Sequence, residues 1–179
     1  MRTRLARVAA LGAAAMLALG ACASNNGGGG GDVEAGDFPE GSTMAKLAEA
    51  GTITIGTKFD QPLFGLVGPD GVPEGFDVEI GKIIASELGI AEGDIKWEET
   101  VSSVREDAIA NGTVDIIVAT YTINDTRKEK VSFAGPYYVA GQSLLTLKEN
   151  TDIQGVDDIA GKKICTVSGS SFFLPRGCG

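Results

Sequence analysis

Three short segments of the sequence each carry a cation at a point where a β-strand is expected to end. They contain Lys58 with Phe59, Arg105 behind two serines, and the stretch from Thr120 to Arg127. Because the carboxyl ends of parallel strands share one edge of a sheet, we expect the three segments to line one pocket. A guanidinium offers two parallel N–H donors to a carboxylate, and the turn that opens a short helix offers backbone N–H groups. The pattern predicts a site for a small anion on a protein whose net charge is −9.

The same cations have a simpler interpretation as solvated surface charges. Arg127 stands near two lysines in a predicted helix, and Arg105 is followed by Glu106 and Asp107. Charged residues at helical spacing usually face solvent. Periodicity alone therefore leaves both interpretations open.

Composition removes several classes of chemistry. The 179 residues include no histidine, so a Ser-His-Asp triad, a Cys-His dyad and a histidine-ligated metal are all unavailable. The three cysteines, Cys22, Cys165 and Cys178, are too scattered for a zinc cluster. The negative net charge argues against nucleic acid as a partner, because phosphates need cations to neutralise them. We expect no metal and no cofactor.

Hydrophobic periodicity predicts alternating strands and helices. Strands are expected at 52–57, 94–99, 114–119, 144–148 and 164–167, helices at 42–50, 77–88, 102–110 and from about 124, and a loop at 59–75. Asp77 is expected to cap its helix, and Ile83 and Val104 are expected to face the core. The order β-α-β-α-β is typical of a parallel α/β sheet whose strands are joined by helical crossovers.

Residues 1–21 have the composition of an export signal. Three arginines flank the start of an apolar run, Val8 to Leu19, that is too short to span a bilayer. The end of this run and Gly20-Ala21-Cys22 resemble the lipobox of bacterial lipoproteins, in which an acylated cysteine becomes the first residue. A plain signal peptide with a chance cysteine is the alternative. Residues 22–41 contain five consecutive glycines and are expected to form a tether, so that a lipid holds the protein on the extracytoplasmic face of the cell membrane.

Four motifs occur in order along the chain: GTITIGT, GFDVEIGKIIASEL, NGTVDIIVATYTINDTRKEKVSFAGPYY and GKKICTVSGSS. Together they resemble the polar amino-acid-binding proteins of ABC importers, family 3 of the bacterial solute-binding proteins, and most closely the glutamate-binding lipoproteins of actinobacteria. The resemblance covers residues 51–171. It implies a type II periplasmic-binding-protein fold, in which 42–143 form the first lobe and 144–179 the lobe crossing and the start of a second lobe. It also implies ABC permease subunits as partners and an acidic amino acid as ligand, glutamate before aspartate.

The resemblance also implies roles for single residues. Arg127 and Thr122 are expected to grip the ligand's α-carboxylate, while the Thr120 carbonyl accepts from its α-ammonium. Arg105 is expected to face the side-chain carboxylate, with Lys58 adding positive charge.

Three further residues complete the expected site. Phe59 and Tyr121 are expected to wall the aliphatic part of the ligand, with ordinary core aromatics as the alternative. Ser170 is expected to contribute from the second lobe.

The sequence departs from this family pattern near its end. A second lobe needs on the order of 100 residues, whereas only 36 follow position 143. We therefore expect a C-terminally truncated protein that binds its ligand poorly, with a genuinely minimal variant as the alternative. Cys165 resembles a family cysteine that pairs further along the chain, and its pairing with Cys178 is left open. The other functions considered are a non-functional fragment and a dehydratase-type enzyme on the same fold.

Overall fold

The computed structural model describes residues 33–171. Its helices are α1 (Thr43–Ala50), α2 (Phe76–Glu87), α3 (Arg105–Ala110) and α4 (Asp125–Lys128), with 3-10 turns at Ala35–Asp37, Glu92–Asp94 and Val156–Ile159. Its strands are β1 (Ile53–Thr57), β2 (Asp60–Gln61), β3 (Gly65–Val67), β4 (Pro73–Glu74), β5 (Ile95–Glu99) and β6 (Ile116–Ile117). No helix between residues 33 and 171 has the length and apolar character needed to cross a membrane. The export signal, Cys22, the glycine run and Cys178 lie outside the described residues, so the statements about them stay predictions.

A three-stranded parallel sheet, in the order β5-β1-β6, forms the centre of the fold. Ile55 of β1 stands opposite Trp97 of β5 on one side and Ile116 of β6 on the other. Helix α2 connects β1 to β5, and α3 connects β5 to β6, because parallel neighbours need a crossover rather than a tight turn. The predicted parallel α/β architecture is confirmed.

The hydrophobic core lies between this sheet and helices α1 and α2. Ile53 and Ile55 on the central strand are almost fully buried, and Leu47, Ala85 and Leu88 belong to the same cluster. Burying each large aliphatic side chain contributes roughly 1.5–3 kcal/mol. Burial therefore fixes the position of strand β1, and it fixes the start of the segment that follows this strand.

Helix α2 begins before the residue that was expected to cap it. Gly75 occupies the cap position with a φ of 134°, and Asp77 lies in the first turn with no exposed surface, so the capping prediction is wrong. The face that meets the sheet carries the small residues Gly81 and Ala85. A Cβ at Gly81 would lie 2.8 Å from the Trp97 ring, which shows how closely helix and sheet approach.

Two side chains that were expected to face the core are exposed instead. Ile83 is 57% exposed because it lies outside the face of α2 that meets the core, whereas its neighbours Ile80 and Ile84 pack against that core. Val104 is 42% exposed because α3 starts at Arg105 instead of Ser102. The helical period does not apply to residues in the preceding turn.

Residues 59–75, predicted to be a loop, contain a small antiparallel sheet. Strand β3 pairs with both β2 and β4, with Leu66 opposite Asp60 on one side and Glu74 on the other. Strands of two or three residues are too short to show an alternating pattern, which is why periodicity missed them. This sheet carries Gln61 to the edge of the parallel sheet, where the site lies.

Three strand predictions fail wholly or in part. Residues 144–148 and 164–167 adopt no strand conformation, and the predicted strand 114–119 is reduced to Ile116–Ile117. Leu145 and Leu147 are largely exposed. A strand needs a neighbour for its backbone hydrogen bonds, and within residues 33–171 these two segments have none.

Candidate ligand-binding site

The carboxyl ends of the parallel strands open onto one cavity of about 510 Å³. Six of the residues predicted for the site line it, namely Lys58, Arg105, Thr120, Thr122, Arg127 and Ser170. They come from the segments after β1, β5 and β6 and from the C-terminal segment, as parallel topology allows. Much of the remaining wall consists of the segments 143–146 and 162–167.

Arg105 starts helix α3 and is 3% exposed. Its Nε donates to the Thr100 carbonyl at 3.3 Å, and it forms no ion pair with any residue of the described chain. Burial, followed by the nearby Arg127 charge, lowers the pKa of Arg105. The guanidinium is therefore a buried cation at the cavity wall with no ion-pair partner among residues 33–171, and the more distant charges of Glu106 and Asp77 only partly offset the effect of its burial.

Arg127 lies on the short helix α4 and is also buried. The Asn124 side chain caps this helix by accepting from the Arg127 backbone N–H at 2.9 Å. The three guanidinium nitrogens are divided among three partners. Nε lies 3.5 Å from Glu106 Oε1, Nη1 donates to the Thr122 carbonyl at 2.9 Å, and Nη2 donates to the Gly169 carbonyl at 3.0 Å.

The C-terminal segment thus reaches the residues expected to grip a carboxylate. In addition to the Gly169 contact, the Thr122 and Ser171 hydroxyls lie 2.9 Å apart. A Cβ at Gly169 would lie 2.7 Å from Ser103 Cα, so the segment packs directly on the turn before α3. Residues 169–171 therefore close one side of the cavity.

Tyr121 lies between the arginines and a second cavity rather than in the first. The Arg105 and Arg127 guanidinium carbons lie 5.1 and 4.5 Å from the centroid of its ring, and Phe133 packs against it at 5.1 Å. The pKa of Tyr121 is raised by burial and by the Glu106 carboxylate. Tyr121 lines a neighbouring cavity of about 830 Å³, which shares Gln61, Thr120 and Thr122 with the binding cavity.

Lys58 brings a partly neutralised charge to the cavity. It is buried, and its Nζ lies 2.7 Å from Asp60 Oδ1. The hydrogen bond from Lys58 lowers the pKa of the exposed Asp60 carboxyl. Of the three cations expected in the site, Lys58 and Arg127 have acidic partners and Arg105 has none among the described residues.

Thr120 follows β6 in an unusual backbone conformation, with a φ of 47°. Its N–H donates to Asp77 Oδ2 at 2.7 Å, and its hydroxyl lies 3.0 Å from Gln61 Oε1. Tyr137 Oη donates to the other Asp77 oxygen at 2.9 Å. Sequence reasoning missed Asp77 as part of this region, and it placed Gln61 in the segment after the first strand without giving it a role. A charged residue on the buried face of a helix was the available signal for Asp77.

The remaining predicted residues are placed as follows. Phe59 is half-buried and lines neither of the two cavities described above. Ser170 lines the binding cavity beside Ser171. Cys165 is exposed and lines the same cavity, while its pairing with Cys178 stays a prediction because Cys178 is outside the described residues. Among residues 33–171 no group of three metal-ligating side chains is close enough to hold an ion.

The family model for bacterial extracellular solute-binding proteins, family 3, matches residues 53–174. The chain belongs to this family. The match covers the three parallel strands and the segments after them that form the cavity. The resemblance drawn from the four motifs is thereby confirmed.

Individual relatives are named as amino-acid-binding proteins. The chain is 38% identical to the glutamate-binding protein GluB of Corynebacterium efficiens over 96% of its own length and 55% of that protein. It is 37% identical to the glutamine-binding protein GlnH of Bacillus subtilis over 88% of its length and 56% of that protein. Among solved structures it resembles the ancestral amino acid-binding protein AncCDT-1, a precursor of cyclohexadienyl dehydratase, with a TM-score of 0.61 and 33% identity over 66% of this chain and 51% of that one. The chain spans about half the length of the curated relatives it matches.

Proposed function

We propose that the chain binds an acidic amino acid, glutamate first and aspartate next, in the cavity lined by Arg105 and Arg127. The observation that carries this proposal is the environment of the Arg105 guanidinium. Its guanidinium is buried at the cavity wall, bonded to one neutral carbonyl, and without an acidic partner in residues 33–171. A buried cation without an ion-pair partner costs several kcal/mol, and the longer-range charges of Glu106 and Asp77 do not restore the pKa of Arg105. A carboxylate on the ligand's side chain would supply the missing ion-pair partner.

The second carboxylate of such a ligand has a separate place in the proposal. Arg127 and the Thr122 hydroxyl would hold the α-carboxylate, and the Thr120 carbonyl would accept from the α-ammonium. For the ligand to use Arg127 Nη2, the Gly169 carbonyl has to release that donor. Ligand binding is therefore expected to move residues 169–171, and Ser170 would then meet the ligand.

Glutamine is the main rival ligand. One relative is named as a glutamate-binding protein and another as a glutamine-binding protein, so sequence similarity alone does not separate the two. The neutral side-chain amide of glutamine would leave Arg105 without an ion-pair partner. The buried cation therefore favours the acidic ligand.

A binding function is favoured over a dehydratase-type enzyme by the lining of the cavity. The residues that line it in the described chain include serines, threonines and cations but no aspartate or glutamate. Of the side chains that commonly transfer protons, the lining has lysines and Cys165 but no carboxylate and no histidine. The contacts favour a site built to hold charge rather than to move protons.

We further propose that the protein works outside the cytoplasmic membrane and delivers its ligand to ABC permease subunits. The family name supports an extracellular location. The lipobox-like sequence that ends at Cys22 supports attachment by a lipid. Membrane contact would then be made through this anchor alone.

Titration with an amino-acid panel tests the ligand assignment. Heteronuclear NMR of the purified chain, with glutamate, aspartate, glutamine and arginine added separately, follows the amides of Thr122 and Arg127. Acidic ligands should produce saturable shifts at lower concentration than glutamine or arginine. Arg127→Ala should weaken every ligand, since all share the α-carboxylate, while Lys96→Ala, which removes an exposed cation on β5, should weaken none. Tighter binding of glutamine than of glutamate would contradict the assignment.

A further inference from the structure

We infer that Asp77 is a positioning residue for the binding site: together with Tyr137, it holds Thr120 in the backbone conformation on which the placement of the Thr120 carbonyl depends. This inference rests on the proposed function, in which that carbonyl accepts from the ligand's α-ammonium. Asp77 lies on helix α2, Thr120 follows β6, and Tyr137 follows α4. The three residues are brought together only by the fold.

The contacts of Asp77 use both oxygens of its carboxylate. Oδ2 accepts from the Thr120 N–H at 2.7 Å, and Oδ1 accepts from Tyr137 Oη at 2.9 Å. The side chain has no exposed surface, so neither bond is exchanged with bulk water in this conformation. Charge-assisted hydrogen bonds of this length are among the stronger ones in proteins.

Thr120 needs such support because its backbone is strained. A φ of 47° is uncommon for any residue other than glycine and is least favourable for β-branched side chains such as threonine. Strained residues persist where their surroundings determine them from several sides, and they cluster at functional sites. Here the N–H is held by Asp77, and the hydroxyl lies within hydrogen-bonding distance of Gln61 Oε1.

A purely local role does not account for Asp77. Gly75 occupies the cap position of α2, and the Asp77 carboxylate bonds to residues 43 and 60 positions away rather than to its own helix. Burying a carboxylate is costly unless its oxygens are hydrogen-bonded. An apolar residue on this buried helix face would avoid that cost. The hydrogen bond that it accepts from the Thr120 N–H therefore explains why a carboxylate stands at this position.

The first test compares two neighbouring tyrosines. Tyr137→Phe removes the hydroxyl that bonds to Asp77 and keeps the ring. Tyr138→Phe is the matched control, because Tyr138 packs its ring on Phe64 and Phe76 but makes no hydrogen bond to Asp77. In the ligand-free protein, Tyr137→Phe should shift the Thr120 amide resonance and speed its hydrogen exchange, and Tyr138→Phe should do neither. Equal effects of the two variants, or none from Tyr137→Phe, would overturn the inference.

The second test asks whether Asp77 acts through the Thr120 backbone. Asp77→Ala should weaken glutamate binding by about tenfold, the effect expected for a hydrogen bond to a charged group. Thr120→Gly removes the strain, because glycine adopts this φ freely. In that background the further loss caused by Asp77→Ala should be no more than about twofold. Asp77→Asn, which retains an acceptor for the Thr120 N–H but loses the charge, should lose less affinity than Asp77→Ala, and Glu79→Ala, at an exposed acid of the same helix turn, should stay close to the parent.

The readouts separate this inference from the proposed function. If the parent chain gives no saturable glutamate shift, the proposed function fails, while the Thr120 amide still reports on Asp77 and Tyr137. If glutamate binds and Asp77→Ala costs the same in both Thr120 backgrounds, the positioning role is wrong and the proposed function stands. Should Asp77→Ala not fold, the Tyr137 and Tyr138 variants decide the matter.

Discussion

Arg127 donates from Nη2 to the carbonyl of Gly169 over 3.0 Å, although 42 residues separate the two in sequence. The contact places the C-terminal segment against the arginine that is proposed to hold the ligand's α-carboxylate. Gly169 fits there because it has a φ of 77° and because its missing side chain leaves room for Ser103. The ligand-free site is therefore closed on one side by the chain itself.

Gly169→Ala should open this side of the site. A Cβ would lie 2.7 Å from the Ser103 backbone, so the segment has to move away. We expect shifted amide resonances at Ser103 and Thr122 in the ligand-free protein. Gly161→Ala is the matched control, because Gly161 has a similar φ of 73° but no atom within 4 Å of the point that a Cβ would occupy. Unchanged resonances at Ser103 in the Gly169 variant would contradict the contact.

Gly81→Ala should destabilise the protein even though alanine favours helices. The intrinsic helix preference gains about 1 kcal/mol over glycine, whereas forcing a methyl group into a packed core costs about 1–3 kcal/mol. The new Cβ would lie 2.8 Å from the Trp97 ring and 3.3 Å from Ile55, so the packing cost should win. Urea unfolding should show a net loss of up to about 2 kcal/mol. Gly93→Ala, with open space around it, should show no loss, and a stabilised Gly81 variant would show that helix and sheet are farther apart than described.

Much of the architecture was predictable from residue patterns because it depends on long-range repetition. Helix α1 lies where the pattern predicts a helix at 42–50; Ser42 caps it by accepting from the Ala45 N–H, and Gly51 ends it in the left-handed region. The small sheet at 60–74 was not predictable, because its strands are too short for periodicity. The convergence of Lys58, Arg105 and Arg127 on one cavity followed from parallel topology.

The part of the site that sequence reasoning missed depends on side chains that meet across the fold. Asp77 has the residue type and the sequence position that are typical of a helix cap. Only the tertiary structure shows that its carboxylate bonds to Thr120. Tyr121 was expected either to wall the ligand or to be an ordinary core aromatic, and the structure packs its ring against Arg105 and Arg127. The Asp77 contact joins residues 43 positions apart, and the Arg105 contact of Tyr121 likewise comes from another element of the fold.

Asp77→Asn should change how stability depends on pH. Burial raises the pKa of Asp77 above its ordinary value of 3.8, outweighing the bonds from Tyr137 and Thr120 and the charge of Arg105, which lower it. Between the unfolded and the folded pKa, the folded chain keeps a proton that the unfolded chain has released. This stabilisation is complete below the unfolded pKa and is lost as the pH rises through the folded pKa.

Because asparagine has no proton to release, the Asp77→Asn variant should gain free energy of unfolding relative to the parent as the pH rises from below 3.8 towards neutrality. Urea unfolding at a series of pH values measures this difference. Glu79→Gln, at an exposed acid of the same helix, serves as the control. A difference that stays constant or moves in the opposite direction would contradict the raised pKa.

Cys22→Ala should abolish membrane attachment. The proposed anchor is a lipid on this cysteine, and a single apolar run of the length between Val8 and Leu19 is too short to replace it. Fractionation of cells expressing the parent and the variant should move the protein from the membrane to the soluble fraction. Cys165→Ala is the control and should leave attachment unchanged. Equal membrane retention of the Cys22 variant and the parent would rule out the lipoprotein assignment.

The most direct measurement of the central claim is the affinity of the Arg105→Ala variant for glutamate and for glutamine, compared with the parent and with Lys96→Ala. Removing the unpaired buried guanidinium should weaken glutamate by roughly one to two decades, which corresponds to about 1.5–3 kcal/mol for a charge-assisted contact. Glutamine should lose far less, since its side chain brings no counter-charge to this position. Selective loss of glutamate supports Arg105 as the residue that recognises the side-chain carboxylate, whereas equal losses for the two ligands would contradict it.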